Sequence, residues 1–419
     1  MNVANRRKQD PAVNKTPINA SPQSLIGRQP ILDRDGTVQA YELLFRPDTS
    51  AADSPFDGNR ATANVIMNAM IEFDLDHLVG DHRAYINFTA EMLQNDAVLL
   101  LPKERVVIEI LEDVAIDDAL VAAVTKLARS GYELALDDFI YSPQWQPLID
   151  LATTIKIDVL ALDSAQVEAQ VEILRPHKVT LLAEKVETVE QHALLLDLGF
   201  DLFQGFYYAK PNVISRDRIP DDHVAVVHLL AALNDSSATI EDIDALVSAD
   251  VSLSYRLLRY FNSAFFALPQ KVDSIRRALI FFGVDLLRQW VSLLVMANIS
   301  TKPKVLMQNA LVRARMCAEL AKLMNRPDPD SYFTVGLFSV LDALLDTPMA
   351  VIVESLPLSV EIVDALVNHS GDRGAALCCV CAYERGQWAK VAYAGVDRAV
   401  IGQAYLRSIE WAFDAASGL

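Results

Sequence analysis

The sequence predicts an α/β domain followed by an all-helical domain. Over residues 25–210, eight short runs rich in Val, Ile, Leu, Tyr and Phe alternate with stretches of helical spacing. Beyond residue 211 the strand signals fade, and amphipathic helical patterns follow one another to the end of the chain. The 419 residues, 52% of them apolar, are enough for two or three packed domains.

The first predicted strands form a hairpin. An Asp35-Gly36 turn joins two β-rich runs, so we expect these two strands to be antiparallel. Between the later runs lie predicted helices over 61–73, 117–130 and 189–198. The runs are LIGRQPIL, TVQAYELLFR, RAYINFT, RVVIEIL, YELALDD, TTIKIDVL, VTLLAE and FDLFQG. This alternation predicts either a compact (β/α) barrel or a doubly wound sheet.

The predicted domains are divided by polar segments. Residues 1–24 carry no apolar run, which predicts a disordered tail and excludes a secretory signal. Pro211 and Pro220 bracket a polar linker, so we predict an α/β domain over 25–212 and a helical domain over 220–419. The helical half includes amphipathic runs such as HVAVVHLLAALND and VLMQNALVRARMCAELAKLM.

Charge and cysteine content limit the possible partners. The net charge is −18, and residues 25–210 hold 14 basic and 31 acidic side chains. An acidic domain of this kind repels phosphate backbones, which argues against binding to nucleic-acid polymers. Four cysteines give no disulfide framework, and no uncharged apolar run is long enough to span a membrane. We expect a cytoplasmic protein.

Polar side chains recur at the ends of the predicted apolar strands. Barrel enzymes gather their chemistry at the carboxyl ends of their strands, so these side chains are expected to converge. Clustered carboxylates repel one another and need cations between them, and oxygen ligands suit Mg²⁺ or Mn²⁺. Two such ions can hold a phosphodiester for attack by water. The strand-end residues are Glu42, Asn87, Glu109, Glu112, Asp137, Asp138, Lys156, Asp158, Glu184, Glu187 and Gln204.

These motifs resemble those of the bacterial EAL–HDOD proteins, also called the YuxH-like group. The segments RQPI, YELLFR, IEILED, LALDDF, LLAEKVET and FQGF carry the resemblance, which extends over nearly the whole chain. It implies an EAL domain of cyclic-di-GMP signalling, folded as a TIM-like (β/α)8 barrel with an antiparallel first strand. It also implies a following all-helical HDOD domain with a regulatory or protein-interaction role.

The resemblance also assigns roles to individual residues. It implies that Lys156 positions the attacking water and that Glu184 is the general base. Arg46 and Gln204 are implied to bind substrate, Arg46 at a phosphate and Gln204 near a second metal ion. The implied ligands of Mg²⁺ or Mn²⁺ are Glu42, Asn87, Glu109, Asp137 and Asp138. The implied supporting residues are Glu112, Asp158 and Glu187.

The chain departs from the family pattern at two places. Active members follow the paired aspartates with a loop of pattern G-x-G-Y-S-S, but here both glycines are missing over 139–143 and Pro143 stiffens the turn. Lys185 stands where the family has a glycine. These departures favour a module that binds cyclic-di-GMP or a partner and relays the signal with little turnover. The alternatives are an active phosphodiesterase that produces pGpG, or a scaffold that binds no nucleotide.

The helical half lacks the residues of a metal-dependent hydrolase. The related HD phosphohydrolases need a His-Asp dipeptide, but His223, His228 and His369 are each followed by another residue. The resemblance therefore implies contact with a signalling protein partner through this half. It leaves open whether the chain forms a homodimer.

Overall fold

The computed structural model describes residues 24–47, 75–209, 224–235, 237–248, 251–262, 266, 272, 274–297 and 303–416. The predicted tail before Ser24, the predicted helix over 61–73 and the linker between Pro211 and Pro220 lie outside this part of the chain. None of the helices described is both long and apolar enough to cross a membrane.

The first half of the chain forms a closed barrel whose eight strands follow their sequence order. The first strand runs antiparallel to both of its neighbours, and the other neighbouring strands are parallel. The eight predicted strands and the antiparallel hairpin are confirmed, and the closed sheet excludes the doubly wound alternative. The strands are β1 (Ser24–Asp33), β2 (Val38–Pro47), β3 (Arg83–Phe88), β4 (Val106–Ile110), β5 (Glu133–Leu136), β6 (Thr154–Asp158), β7 (Thr180–Val186) and β8 (Leu202–Gly205).

Alternation along the strands divides the barrel interior into layers. Residues two apart on a strand point to the same face, so each strand contributes side chains to successive layers. One layer is apolar and buried: Ile31, Ala40, Tyr85, Val107, Ala135 and Leu182, with Leu202 packed against it. Two residues further along their strands come Glu42, Asn87, Glu109, Asp137, Glu184 and Gln204. The barrel core thus changes from apolar to polar within one pleat, toward the carboxyl ends of the parallel strands.

The helices of the barrel half begin and end at identifiable signals. The helix over 189–198 starts at a capping box in which the Thr188 hydroxyl accepts from the Gln191 N–H, and it ends at Gly199, whose φ is 94°. This confirms the predicted helix over 189–198, and the one predicted over 117–130 begins and ends one residue inside those bounds. The helices are α1 (Leu75–Val79), α2 (Ala90–Leu93), α3 (Asp118–Arg129), α4 (Gln146–Ile149), α5 (Ser164–Leu174) and α6 (Val189–Leu198).

The second half of the described chain is helical, as predicted. The long helix over 304–323 packs against the helices over 329–338, 371–384 and 398–416, so it lies at the centre of this half. The helices are α7 (Val224–Asn234), α8 (Ile240–Ser248), α9 (Val251–Phe261), α10 (Ile275–Phe282), α11 (Val284–Ala297), α12 (Lys304–Leu323), α13 (Pro329–Phe338), α14 (Leu341–Leu345), α15 (Met349–Glu354), α16 (Val360–Val367), α17 (Gly371–Glu384) and α18 (Arg398–Ala416).

The helical half packs directly on the first strand of the barrel. The Trp388 ring lies so close to Gly27 that a Cβ there would meet it at 3.1 Å. The Tyr383 hydroxyl donates to the Ile26 carbonyl at 3.2 Å. The Arg28 guanidinium lies between the rings of Tyr41 and Phe413, at 4.5 and 4.6 Å from their centroids. Tyr41 is the neighbour of Glu42, so this joint lies one residue away from the polar layer.

We expect Trp388→Ala to lower the free energy of unfolding of the whole chain by about 3–5 kcal/mol, because a large buried ring would leave a cavity against β1. Urea denaturation followed by circular dichroism measures the change. The matched control is Leu194→Ala on α6, whose side chain is 46% exposed. It should change the stability by only about 0.5 kcal/mol. Equal losses in the two variants would contradict the packing role of Trp388.

Candidate functional site

The polar layer of the barrel is organised around one lysine. Lys156, on β6, is fully buried, and its Nζ atom lies 2.6 Å from Glu109, 2.7 Å from Asp137, 2.9 Å from Glu184 and 3.5 Å from Glu42. These four acids come from β2, β4 and β7 and from the residue that follows β5. A single ammonium group therefore holds four converging carboxyl groups. We call Lys156 and these four acids the inner group.

Two amide side chains complete the inner group. Asn87 Nδ2 donates to one Glu42 carboxylate oxygen at 3.0 Å, and Gln204 Nε2 donates to the other at 2.6 Å. Gln204 Nε2 also lies within hydrogen-bond distance of Gln29 Oε1, at 3.0 Å. These bonds fix the orientation of Glu42 from both sides.

Several buried oxygens of this layer have no hydrogen-bond donor. They are Asn87 Oδ1, both carboxylate oxygens of Glu109, Glu184 Oε2 and Gln204 Oε1. Glu109 Oε1 nevertheless lies within ion-pair distance of the Lys156 ammonium, at 2.6 Å. Buried acceptors without donors are costly unless water or a cation satisfies them. Their presence indicates a site that binds something further.

The electrostatics of the inner group follow from burial. Burial raises the pKa of Glu109 well above its ordinary value and raises that of Glu184 to about 8. Burial alone would lower the pKa of Lys156, but the surrounding carboxylates outweigh it and hold that pKa well above the ordinary value. The lysine is therefore charged, and four ionised acids would carry more negative charge than one ammonium can neutralise.

A second, outer pair of acids lies nearer the barrel mouth. Asp138 follows β5 directly after Asp137, and Asp158 ends β6. The Lys185 ammonium forms an ion pair with Asp158 and lies 3.3 Å from Asp138. The orientation of Lys185 could not be derived from the sequence; the structure places its side chain across the acids rather than away from them.

The loop after the paired aspartates is held by packing. Asp138 has a φ of 41°, in the left-handed region. Phe139 is buried edge-on against Trp145, and its N–H donates to the Lys156 carbonyl at 2.9 Å. Pro143 begins a short 3₁₀ turn. The missing glycines are thus replaced by a segment anchored on an aromatic side chain.

Two of the predicted site residues lie apart from both groups of acids. Glu112 and Glu187 are exposed, beyond the ends of β4 and β7. The side chain of Arg46 lies outside the described part of the chain, although its backbone belongs to β2. Sequence reasoning also missed Gln29. The place of Gln29 could have been predicted from the hairpin. An antiparallel β1 brings its early residues to the end of the barrel where the other strands finish.

The donor set fits a divalent cation by its chemistry. Carboxylate and amide oxygens are the ligands that Mg²⁺ and Mn²⁺ prefer, and several of these oxygens have no other partner. Within the described residues, no three His, Cys, Asp or Glu side chains form a ready-made metal-binding group. The Lys156 ammonium stands among the acids, so these side chains would rearrange around an ion.

Comparison with known families agrees with this architecture. The model of the EAL domain matches residues 29–211, and the model of the HDOD domain matches residues 219–345. The EAL match lies within the predicted domain over 25–212, and the HDOD match begins one residue before the predicted domain over 220–419 and covers its first part. The exact boundaries stay predictions. Together with the full-length relatives described next, these matches show that the chain belongs to the family in which an EAL domain is followed by an HDOD domain.

Two relatives share nearly the whole chain. YuxH of Bacillus subtilis is 32% identical over 397 residues, which cover 92% of this chain and 97% of that protein. The cyclic di-GMP phosphodiesterase CdgJ of Vibrio cholerae is 34% identical over 398 residues, which cover 93% of this chain and 92% of that protein. Both similarities therefore extend over the barrel half and the helical half of this chain.

Solved structures with a partial likeness include two complexes with cyclic-di-GMP. One is the PaMucR phosphodiesterase in a c-di-GMP complex, 23% identical over 44% of this chain and 95% of that chain, with a TM-score of 0.38. The other is Klebsiella pneumoniae BlrP1 with manganese and cyclic-diGMP, 24% identical over 45% of this chain and 56% of that chain, with a TM-score of 0.38. These scores are low, so the chemistry of this chain is inferred from its own residues.

We expect Lys156→Met to lower the free energy of unfolding by about 3–5 kcal/mol in the presence of a chelator, because it leaves converging buried carboxylates without their ammonium partner. Burial raises the folded-state pKa values of Glu109 and Glu184 above their unfolded ones, so these two acids stabilise the fold when protonated and lose that contribution as pH rises. The loss should therefore be greater at about pH 9 than at about pH 6.

Urea denaturation at the two pH values measures this difference. The matched control is Lys185→Met, whose ammonium is about half-exposed and whose loss should cost no more than about 1 kcal/mol. A Lys156→Met variant as stable as this control at both pH values would show that the inner group does not depend on its lysine.

Proposed function

We propose that this chain is a divalent-metal-dependent phosphodiesterase that binds cyclic-di-GMP at the mouth of the barrel and opens it to linear pGpG. The observation that carries the proposal is the inner group, with four carboxyl groups around one ammonium and several buried oxygens without donors. The activity named for CdgJ, which shares most of its length with this chain, supports the substrate.

The charge balance of the inner group favours a cation. Four carboxylates facing one ammonium leave an excess of negative charge in a region closed to water, and only protons or a further cation can offset it. In this proposal Glu42, Asn87, Glu109 and Asp137 hold the ion. A bound Mg²⁺ or Mn²⁺ would supply positive charge to the phosphate oxygens and lower the pKa of nearby water.

The chain's own residues supply the proton transfer and the orientation. Water adds to phosphorus as the bond from phosphorus to the ribose 3′ oxygen breaks. The ring opens with a new phosphate end, and the released 3′ oxygen takes up a proton from solvent to become a hydroxyl. Glu184, whose pKa burial raises to about 8, accepts the proton of the water on a carboxylate oxygen. The Lys156 ammonium lies 2.9 Å from a Glu184 carboxylate oxygen and holds Glu184 in place through this ion pair. Arg46 binds a phosphate, as the resemblance implies.

A second function is favoured by a separate observation. Lys185 is paired with Asp138 and Asp158, and the loop after Asp138 is anchored by Phe139 instead of containing glycines. An arrangement of this kind suits a module that binds cyclic-di-GMP, turns it over very slowly and passes the signal to a protein partner through the helical half. Such a relay would act in the cytoplasm, and dimer formation is part of neither function.

We expect purified protein to convert cyclic-di-GMP to pGpG with Mn²⁺ or Mg²⁺, and Glu42→Ala to slow the conversion at least ~100-fold, because removal of a metal-site oxygen weakens the bound ion. Chromatography of the nucleotides measures the rate. The matched control is Glu168→Ala, an exposed acid on α5, which should keep the wild-type rate. Bound cyclic-di-GMP without any pGpG, under both metals, would replace the first function by the second.

We expect Arg46→Ala to weaken cyclic-di-GMP binding about 10–100-fold, since a charge-assisted hydrogen bond to phosphate contributes roughly 1.5–3 kcal/mol. Calorimetry in a Glu184→Gln background, where proton transfer is blocked, separates binding from turnover. Arg129→Ala, an exposed arginine on α3, serves as the control. If neither the parent nor the Arg46 variant binds the nucleotide, both functions are wrong and the barrel serves as a scaffold.

A further inference from the structure

The acids of the barrel end differ in how well their oxygens are satisfied. In the inner group, both Glu109 oxygens and one Glu184 oxygen are buried without a hydrogen-bond donor. In the outer pair, Asp158 Oδ1 accepts from the N–H groups of Leu160 and Ala161 at 2.8 and 3.1 Å, and Asp158 Oδ2 is bound by the Lys185 ammonium. Both oxygens of Asp158 are therefore in use, whereas Oε2 of Glu109 and Oε2 of Glu184 have neither a hydrogen-bond donor nor an ion-pair partner.

The backbone of β7 is shaped to bring Lys185 to this place. Strand alternation would send Lys185 to the outside of the barrel, because Glu184 points inward. The pairing register of β7 with β8 shifts between Ala183 and Val186, and Lys185 adopts a φ of 59°. A bulge of this kind re-aims a side chain, and a left-handed lysine is uncommon. The irregularity lets Lys185 reach across the mouth to β6 and to Asp138.

The contacts of Lys185 span two strand ends at once. Its ammonium is paired with Asp158 and lies 3.3 Å from Asp138. The side chain is 49% exposed, so the charge borders both the acids and the solvent-filled mouth where a nucleotide would enter. Asp138 and Asp158 are exposed by 36% and 15%, so the outer pair is wetter than the inner group.

We propose that the Lys185 ammonium occupies the place of a second divalent cation, so that each chain binds one divalent ion, in the inner group. This inference rests on the proposed function and concerns how the same site is charged. The ammonium neutralises Asp138 and Asp158 permanently, and its positive charge repels a divalent ion from those oxygens. Lys185 then presents a fixed positive charge to the substrate phosphate, where a second ion would otherwise do so.

The test is the number of Mn²⁺ ions bound by the full-length chain. Equilibrium dialysis and electron paramagnetic resonance of Mn²⁺ should give one ion per wild-type chain. Lys185→Gly removes the ammonium and suits the left-handed backbone, so it should bind two. Lys185→Asn also tolerates that conformation without a charge and should bind two as well. Lys178→Gly, an exposed lysine before β7, is the matched control and should bind one.

The outcomes separate this inference from the proposed function. Two ions in the wild-type chain, or one ion in both Lys185 variants with unchanged circular dichroism, would overturn the role of Lys185 and leave the phosphodiesterase standing. No bound ion in the wild-type chain, together with no pGpG, would overturn the proposed function and this inference with it. One ion in wild type and control, rising to two in both Lys185 variants, is the result expected.

Discussion

The barrel depends on one ammonium group in a closed space. Lys156 is fully buried and faces four carboxyl groups, so the layer that surrounds it can pack only while this charge is present. The strands that bring these acids together are held by an apolar layer two residues below. Folding therefore places four acids around a single positive charge where water cannot reach them. This imbalance is the reason that the site can attract a cation and a phosphate ester.

The balance of charge at the mouth is set by a different means. Glu109 is held in the interior by strand geometry, whereas Lys185 depends on a bulge and a left-handed residue. The regular strand at Glu109 and the bulge at Lys185 each suit the place of the side chain that they position. A regular strand delivers side chains to a dry layer with fixed spacing, while an irregular one can turn a long, flexible side chain over the rim. The acids of the two groups therefore have unequal freedom to take up an ion.

Much of the fold was predictable because its signals are local. Alternating apolar runs, a hairpin turn and helical spacing suffice to locate the eight strands, and the strand-end position of Glu42, Glu109 and Asp137 follows from them. The position of Lys156 among four acids was not predictable in this way, because it depends on how residues of separate strands meet in the folded barrel. The exposure of Glu112 and Glu187 reflects where β4 and β7 end, which periodicity gives only approximately. Gln29 was missed because strand direction decides which end of β1 reaches the site.

Strand β1 has a consequence for communication between the halves. Its residue Arg28 faces the helical half, stacked against Phe413 of α18, and its neighbour Gln29 meets Gln204, which in turn holds Glu42. Successive residues of a strand share one backbone, so the two faces of β1 cannot shift independently. A ligand in the barrel that favours one of two positions of α18 must itself bind more tightly when α18 is in that position. Thermodynamic linkage requires the two effects to have the same free energy. Strand β1 thus carries the contacts of the helical half and those of the acid layer on adjacent residues of one backbone.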